Sequence, residues 1–81
     1  MLLKLENDNY LDTTKCYLWE VDEPLNAIVA NTDYEEIKVY SSPDHALLEM
    51  LLQNIMVQIT KGFMISDVKS ILAGMGEVKS V

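Results

Sequence analysis

The segment Ala46–Ile59, ALLEMLLQNIMVQI, carries ten apolar residues in fourteen positions of an 81-residue chain. It constrains the fold more than any other stretch. At about 100° per residue, Leu48, Leu51, Leu52, Ile55 and Ile59 fall on one wide helical face, the natural core face against a sheet. His45, Glu49, Gln53 and Thr60 form a solvated stripe. Ala46, Met50 and Val57 make a second apolar patch beyond that stripe, with Leu47 apart from it. A chain of this length makes one domain that buries only roughly 60–65% of its unfolded surface. The second patch is therefore expected to need cover from another molecule.

The helix has clear punctuation. Ser42-Pro43-Asp44 supplies a capping serine, a proline suited to the first helical position and an acid at the positive end of the dipole. Lys61-Gly62 closes the helix, glycine being suited to a left-handed stop. The same capping logic starts a second helix at Ser66-Asp67. Val68, Ile71, Leu72 and Met75 form its apolar stripe, and Gly74 and Gly76 are expected to end it.

Before Ser42 the period is two. Leu2–Glu6 reads as a short strand, followed by a turn at Asn7-Asp8-Asn9. Thr14–Val21 is rich in β-branched and aromatic residues, with Tyr17, Trp19 and Val21 alternating against Cys16 and Leu18. Asp22-Glu23-Pro24 breaks it, because proline cannot donate to a ladder. Leu25–Ala30 is the next strand, Asn31-Thr32-Asp33 the next turn, and Glu35–Ser41 the last strand, with Ile37 and Val39 opposed to Glu36, Lys38 and Tyr40. The expected architecture is α+β: a small antiparallel β-meander of three or four strands followed by two helices packed on one face. It forms a single domain over 1–81, with a strand half at 1–41, a two-helix half at 42–76 and a tail at 77–81.

Charge separates the two halves. The net charge is −7. Residues 1–49 hold eleven acids and three lysines; residues 50–81 hold two acids and three lysines. Direct binding to nucleic acid is disfavoured, since phosphate recognition needs a basic footprint. The chain has no arginine, which removes the bidentate fork used for phosphates. Lysine without arginine, together with many Ile and Asn residues, fits an AT-rich coding sequence and a bacterial or phage setting. An apolar fraction of 49% argues against disorder. MLLKLENDNY lacks the long apolar run after a basic start that a secretory signal needs. One cysteine permits no intrachain disulfide and fits a reducing compartment. The expected setting is the cytoplasm, without a membrane span.

No catalytic, metal or cofactor signature is present. His45, the sole histidine, reads as a polar residue at a helix end rather than a general base. Cys16 lies in a predicted strand without the basic or helix-terminal surroundings of a reactive thiol, and reads as a small packed residue. The N-D-N-Y-L-D run lacks the central glycine and closing glutamate of a calcium-binding loop. Trp19 is expected in the core, with the tyrosines at its rim. Met56 reads as core and Met50 as an interface residue. The acids Glu20, Asp22, Glu23, Asp33, Glu35 and Glu36 are the candidate face for a basic protein partner. Ala46, Leu47, Met50 and Val57 are the candidate interface for a homodimer or other partner. The expected function is a small acidic, non-enzymatic protein-binding module. It acts as a homodimer and fits a phage-type inhibitor of a nucleic-acid-handling host defence protein. The alternative is a structural or accessory subunit that docks by its apolar helix, its acids serving only solubility.

Overall fold

The computed structural model describes residues 1–79. In chain order its elements are β1 (Leu2–Lys4), β2 (Tyr10–Asp12), a single 3-10 turn (Thr13–Lys15), β3 (Leu18–Asp22), β4 (Ala27–Asn31), β5 (Glu36–Ser41), α1 (His45–Thr60), β6 (Ile65–Asp67) and α2 (Val68–Lys79). The mixed α+β class is as expected from the sequence, with β3–β4–β5 as the antiparallel meander. A second three-stranded sheet, in the order β2-β1-β6, was not expected. In it β1 pairs antiparallel with β2 and parallel with β6, so a strand between the two helices returns to the start of the chain.

Local chemistry explains the differences from the sequence reading. The stretch from Thr14 does not begin a strand. Asp12 Oδ1 accepts from the Thr14 N–H (3.0 Å) and the Thr14 hydroxyl (2.6 Å), and Cys16 N–H donates to Thr13 O (3.2 Å). These side-chain-to-backbone bonds offer an alternative to the ladder and hold a 3-10 turn. The chain joins the meander at Tyr17, whose N–H donates to Asn31 O (2.9 Å). The Asn7-Asp8-Asn9 turn forms as expected, with Asp8 at φ 68° and the Asn9 N–H on Asn7 Oδ1 (3.1 Å).

The cap of α1 is Asp44 rather than Ser42. Its carboxylate accepts from the Leu47 N–H (3.1 Å), while Ser42 Oγ accepts from the Asp44 N–H (3.1 Å), and Pro43 precedes the helix. Asp44→Ala is expected to destabilise the protein by about 0.5–2 kcal/mol in chemical denaturation, and Asp44→Asn or Asp44→Ser by less. At the other end Phe63 N–H donates to Gln58 O and Gly62 N–H to Ile59 O, the two bonds of a Schellman motif. Gly62 sits at φ 81°, the left-handed conformation that glycine adopts without strain. In α2, Gly74 and Gly76 do not end the helix, which continues to Lys79. The buried stripe of Val68, Ile71 and Met75 outweighs the weak helix propensity of two glycines. Glu77–Lys79 of the expected tail are therefore helical; its last two positions, Ser80 and Val81, lie outside the described residues.

One core joins both sheets and both helices. Leu3 and Leu11 come from the first sheet and Leu5 from the β1–β2 connection, Ile28, Ala30 and Val39 from the meander, Leu48, Leu51 and Ile55 from α1, and Val68, Ile71 and Met75 from α2. Leu52 and Ile59 of the expected core face pack at its edge, as do Trp19 and Met56. The helix α1 lies on β3 and β4 and alongside α2, which packs on β6. It is the spine that joins the two sheets.

Candidate functional site

The meander presents two unlike faces. Pairing places Trp19 opposite Ala30, Val21 opposite Ile28, Ile28 opposite Tyr40 and Ala30 opposite Ile37. These residues pack on the core. Directly paired residues share a face, and alternate residues along a strand point the same way. The outer face therefore carries three rows: Asp22, Ala27 and Ser41; Glu20, Val29 and Lys38; Leu18, Asn31 and Glu36. A β-bulge at Val39 shifts the register between Ile28 and Val29, which lets Ile37, Val39 and Tyr40 all reach the core side.

Three of the six candidate acids, Glu20, Asp22 and Glu36, thus share one sheet face. Glu20 and Asp22 stand about 7 Å apart along β3, and β3 and β5 are two strand spacings, about 10 Å, from each other. Among the described residues the one ion pair is Lys4–Asp8 (3.7 Å), elsewhere in the fold. Lys38 is separated from Glu20 by Val29 and pairs with no acid on this face. Asp22 has a local role as well, its carboxylate accepting from the Leu25 N–H (3.1 Å) in the turn after β3. Beneath the charged groups, Ala27 and Val29 are buried yet lie outside the central core cluster. Asn31 Nδ2 is the one buried side-chain polar atom without a hydrogen-bond partner among the described residues.

The other three acids lie elsewhere. Glu23 is exposed in the β3–β4 turn. Asp33 and Glu35 sit in the β4–β5 turn, which Thr32 organises by accepting from the Tyr34 and Glu35 N–H groups through its hydroxyl oxygen. They line an open groove of about 550 Å³ with Tyr10, Asp12, Lys15 and Tyr34. In that groove the Thr14 hydroxyl and N–H hold the Asp12 carboxyl below its ordinary pKa. Tyr34 is 95% exposed.

Of the candidate interface on α1, Ala46 is exposed and Met50 and Val57 are 39% and 48% exposed, whereas Leu47 packs at the rim of the core. A larger exposed apolar group lies at the C-terminal end of α1 and on β6. Met64 is 86% exposed, Ile65 60%, Phe63 46% and Leu2 45%. Sequence reasoning did not assemble this patch. Its signal was the run Phe63-Met64-Ile65 directly after the helix stop, but the contribution of Leu2 depends on the pairing of β1 with β6, some sixty residues away in the chain.

His45 Nε2 lies 2.6 Å from Asn26 Oδ1 and ties the start of α1 to the β3–β4 turn. Cys16 packs against the core, its Sγ 3.7 Å from Asp12 O. Burial, and secondarily the Asp12 carboxylate, push its thiol pKa up, away from the reactive thiolate. Among the described residues no group of three or more His, Cys, Asp or Glu side chains is placed to hold a metal ion. No described helix is long and apolar enough to cross a membrane. No protein-family model, curated protein or solved structure matches this chain.

Proposed function

We propose that this chain is a non-enzymatic protein-binding module whose docking surface is the outer face of β3–β4–β5 and whose partner is a basic protein. The observation that carries the reading is the pairing register, which gathers Glu20, Asp22 and Glu36 on one face of a sheet whose other face is buried. A rigid sheet fixes the spacing of these carboxylates, and Glu23 extends the charge into the adjacent turn. A basic protein surface gains from such a face by steering and by charge complementarity, its three carboxylates outnumbering the single cation Lys38. The basic groove of a nucleic-acid-handling protein is a surface of this kind, and an inhibitor of such a protein would present carboxylates where phosphates otherwise bind.

Titration with a lysine-rich peptide, followed by calorimetry at rising ionic strength, tests this reading. The affinity is expected to fall steeply as the Debye length shrinks from about 30 Å at 0.01 M salt to about 8 Å at 0.15 M. An affinity that stays flat across that range overturns it.

A further inference from the structure

Two strand edges meet along one groove. The order β2-β1-β6 leaves β2 as an end strand of the first sheet, and β3-β4-β5 leaves β5 as an end strand of the meander. The open groove of about 550 Å³ at the β4–β5 turn continues into a second hollow of about 370 Å³, and Tyr10, Leu11, Glu35 and Ile37 line both. Along the second hollow the lining runs in unbroken stretches, Asn9 to Leu11 on one side and Glu35 to Lys38 on the other. Successive side chains of a strand point to opposite faces, so a hollow on a face is lined by every second residue. An unbroken stretch marks an edge. The unpaired edges of β2 and β5 are therefore the walls of the groove. Leu11 is buried and Ile37 half-buried between them, while Tyr34, 95% exposed, and Tyr10, 54% exposed, stand at the rim.

Charge selects the occupant. Four acids, Asp12, Asp33, Glu35 and Glu36, line the groove against two cations, Lys15 and Lys38. Neither lysine pairs with them, the one ion pair among the described residues being Lys4–Asp8. Asp12 is fixed by its bonds to Thr14, which also hold it in the charged form. A second copy of this chain, with net charge −7, is repelled from such a groove. A basic segment is attracted to it, and the exposed tyrosine rings add cation–π contacts for lysine or arginine. An extended peptide joins an open sheet edge by main-chain hydrogen bonds, its side chains giving the specificity.

We propose that the basic partner lays an extended segment in this groove, pairing with the edge of β5 at Glu36–Lys38 and setting a lysine or arginine side chain against Tyr34 and its flanking acids. The β-bulge at Val39 ends the regular edge beyond Lys38. The proposal rests on the reading of the partner as a basic protein, and it adds to the outer face a contact that reads main chain as well as charge.

Calorimetry at low salt with an end-blocked hexapeptide of alternating lysine and valine tests it. Methylating the peptide's backbone nitrogens leaves its charge unchanged and is expected to weaken binding at least about tenfold, through lost edge hydrogen bonds. Tyr34→Ala is expected to weaken it at least about threefold, and Tyr34→Phe to stay within about twofold of the wild type. Both variants keep the net charge of −7, and the exposure of Tyr34 leaves the fold unaffected, which unchanged far-UV circular dichroism checks. Glu20→Gln with Asp22→Asn, which neutralises the outer face away from the groove, is expected to change the affinity less than about twofold. Full affinity of the methylated peptide or of Tyr34→Ala overturns the groove and leaves the outer face standing. Loss of binding in the Glu20, Asp22 double variant alone assigns the hexapeptide to the outer face and overturns the groove as well. An affinity that does not change with salt overturns the reading of the partner as basic, and the groove with it.

Discussion

Leu51→Ala is expected to destabilise the protein by about 2–5 kcal/mol, measured by urea denaturation at fixed protein concentration. Leu51 is fully buried in the middle of α1, the helix that packs on β3, on β4 and on α2. Truncation removes its transfer energy and leaves a cavity where several elements meet, which limits how far the site can collapse. A domain of this length is stable by about 4–12 kcal/mol, so the loss is a large fraction of the whole. Each kcal/mol should lower the melting temperature by roughly 4–8 °C. A change below about 1 kcal/mol would mean that α1 is not the spine of the core.

The two sides of β4 should respond unequally to the same kind of truncation. Ile28 is fully buried on the core side, opposite Val21 and Tyr40. Val29 is 1% exposed but lies on the outer face, between Glu20 and Lys38. Ile28→Ala is expected to cost about 2–5 kcal/mol, since it opens a cavity inside the core. Val29→Ala should cost about 1–2 kcal/mol, close to the transfer energy of the methyl groups removed. The flexible stems of Glu20 and Lys38 can settle into the space left behind. Equal losses in denaturant titrations would show that the outer face is packed as tightly as the core and would remove the distinction between the two faces.

How much of this was legible in the sequence depended on the range of the interactions involved. The core face of α1, the stripe Val68–Ile71–Met75 and the left-handed stop at Gly62 follow from 3.6-residue periodicity and local chemistry, which a single chain displays directly. The β4–β5 hairpin was equally readable, because turn residues bracket alternating apolar ones. What could not be read was non-local. The strand β6 has three residues, no alternation to detect, and a partner at the opposite end of the chain. Every residue from Ala27 to Ala30 is buried, although Ala27 and Val29 lie outside the core cluster, so burial along β4 shows none of the alternation that marks a strand with one open face. Among the acids, composition marked the cluster, but only the register sorted Glu20, Asp22 and Glu36 onto one face and sent Asp33 and Glu35 to a groove at the end of the sheet. Leu47 was drawn into the core rim because helix α1 is covered from more than one direction.

The central claim is that the position of the carboxylates, and not the overall charge, makes the meander a docking face. Two triple variants with the same net charge separate these causes. Glu20→Gln, Asp22→Asn and Glu36→Gln together neutralise the outer face, and the amide oxygen that replaces the Asp22 carboxylate can still accept from the Leu25 N–H. Glu6→Gln, Asp8→Asn and Glu49→Gln remove three exposed acids elsewhere. Each triple changes the net charge from −7 to −4. The measurement is the affinity of each variant for the lysine-rich peptide at low salt. The first triple is expected to bind at least about tenfold more weakly than the wild type, a difference of about 1.4 kcal/mol, and the second to bind within about twofold of it. Equal weakening of both triples would contradict the claim.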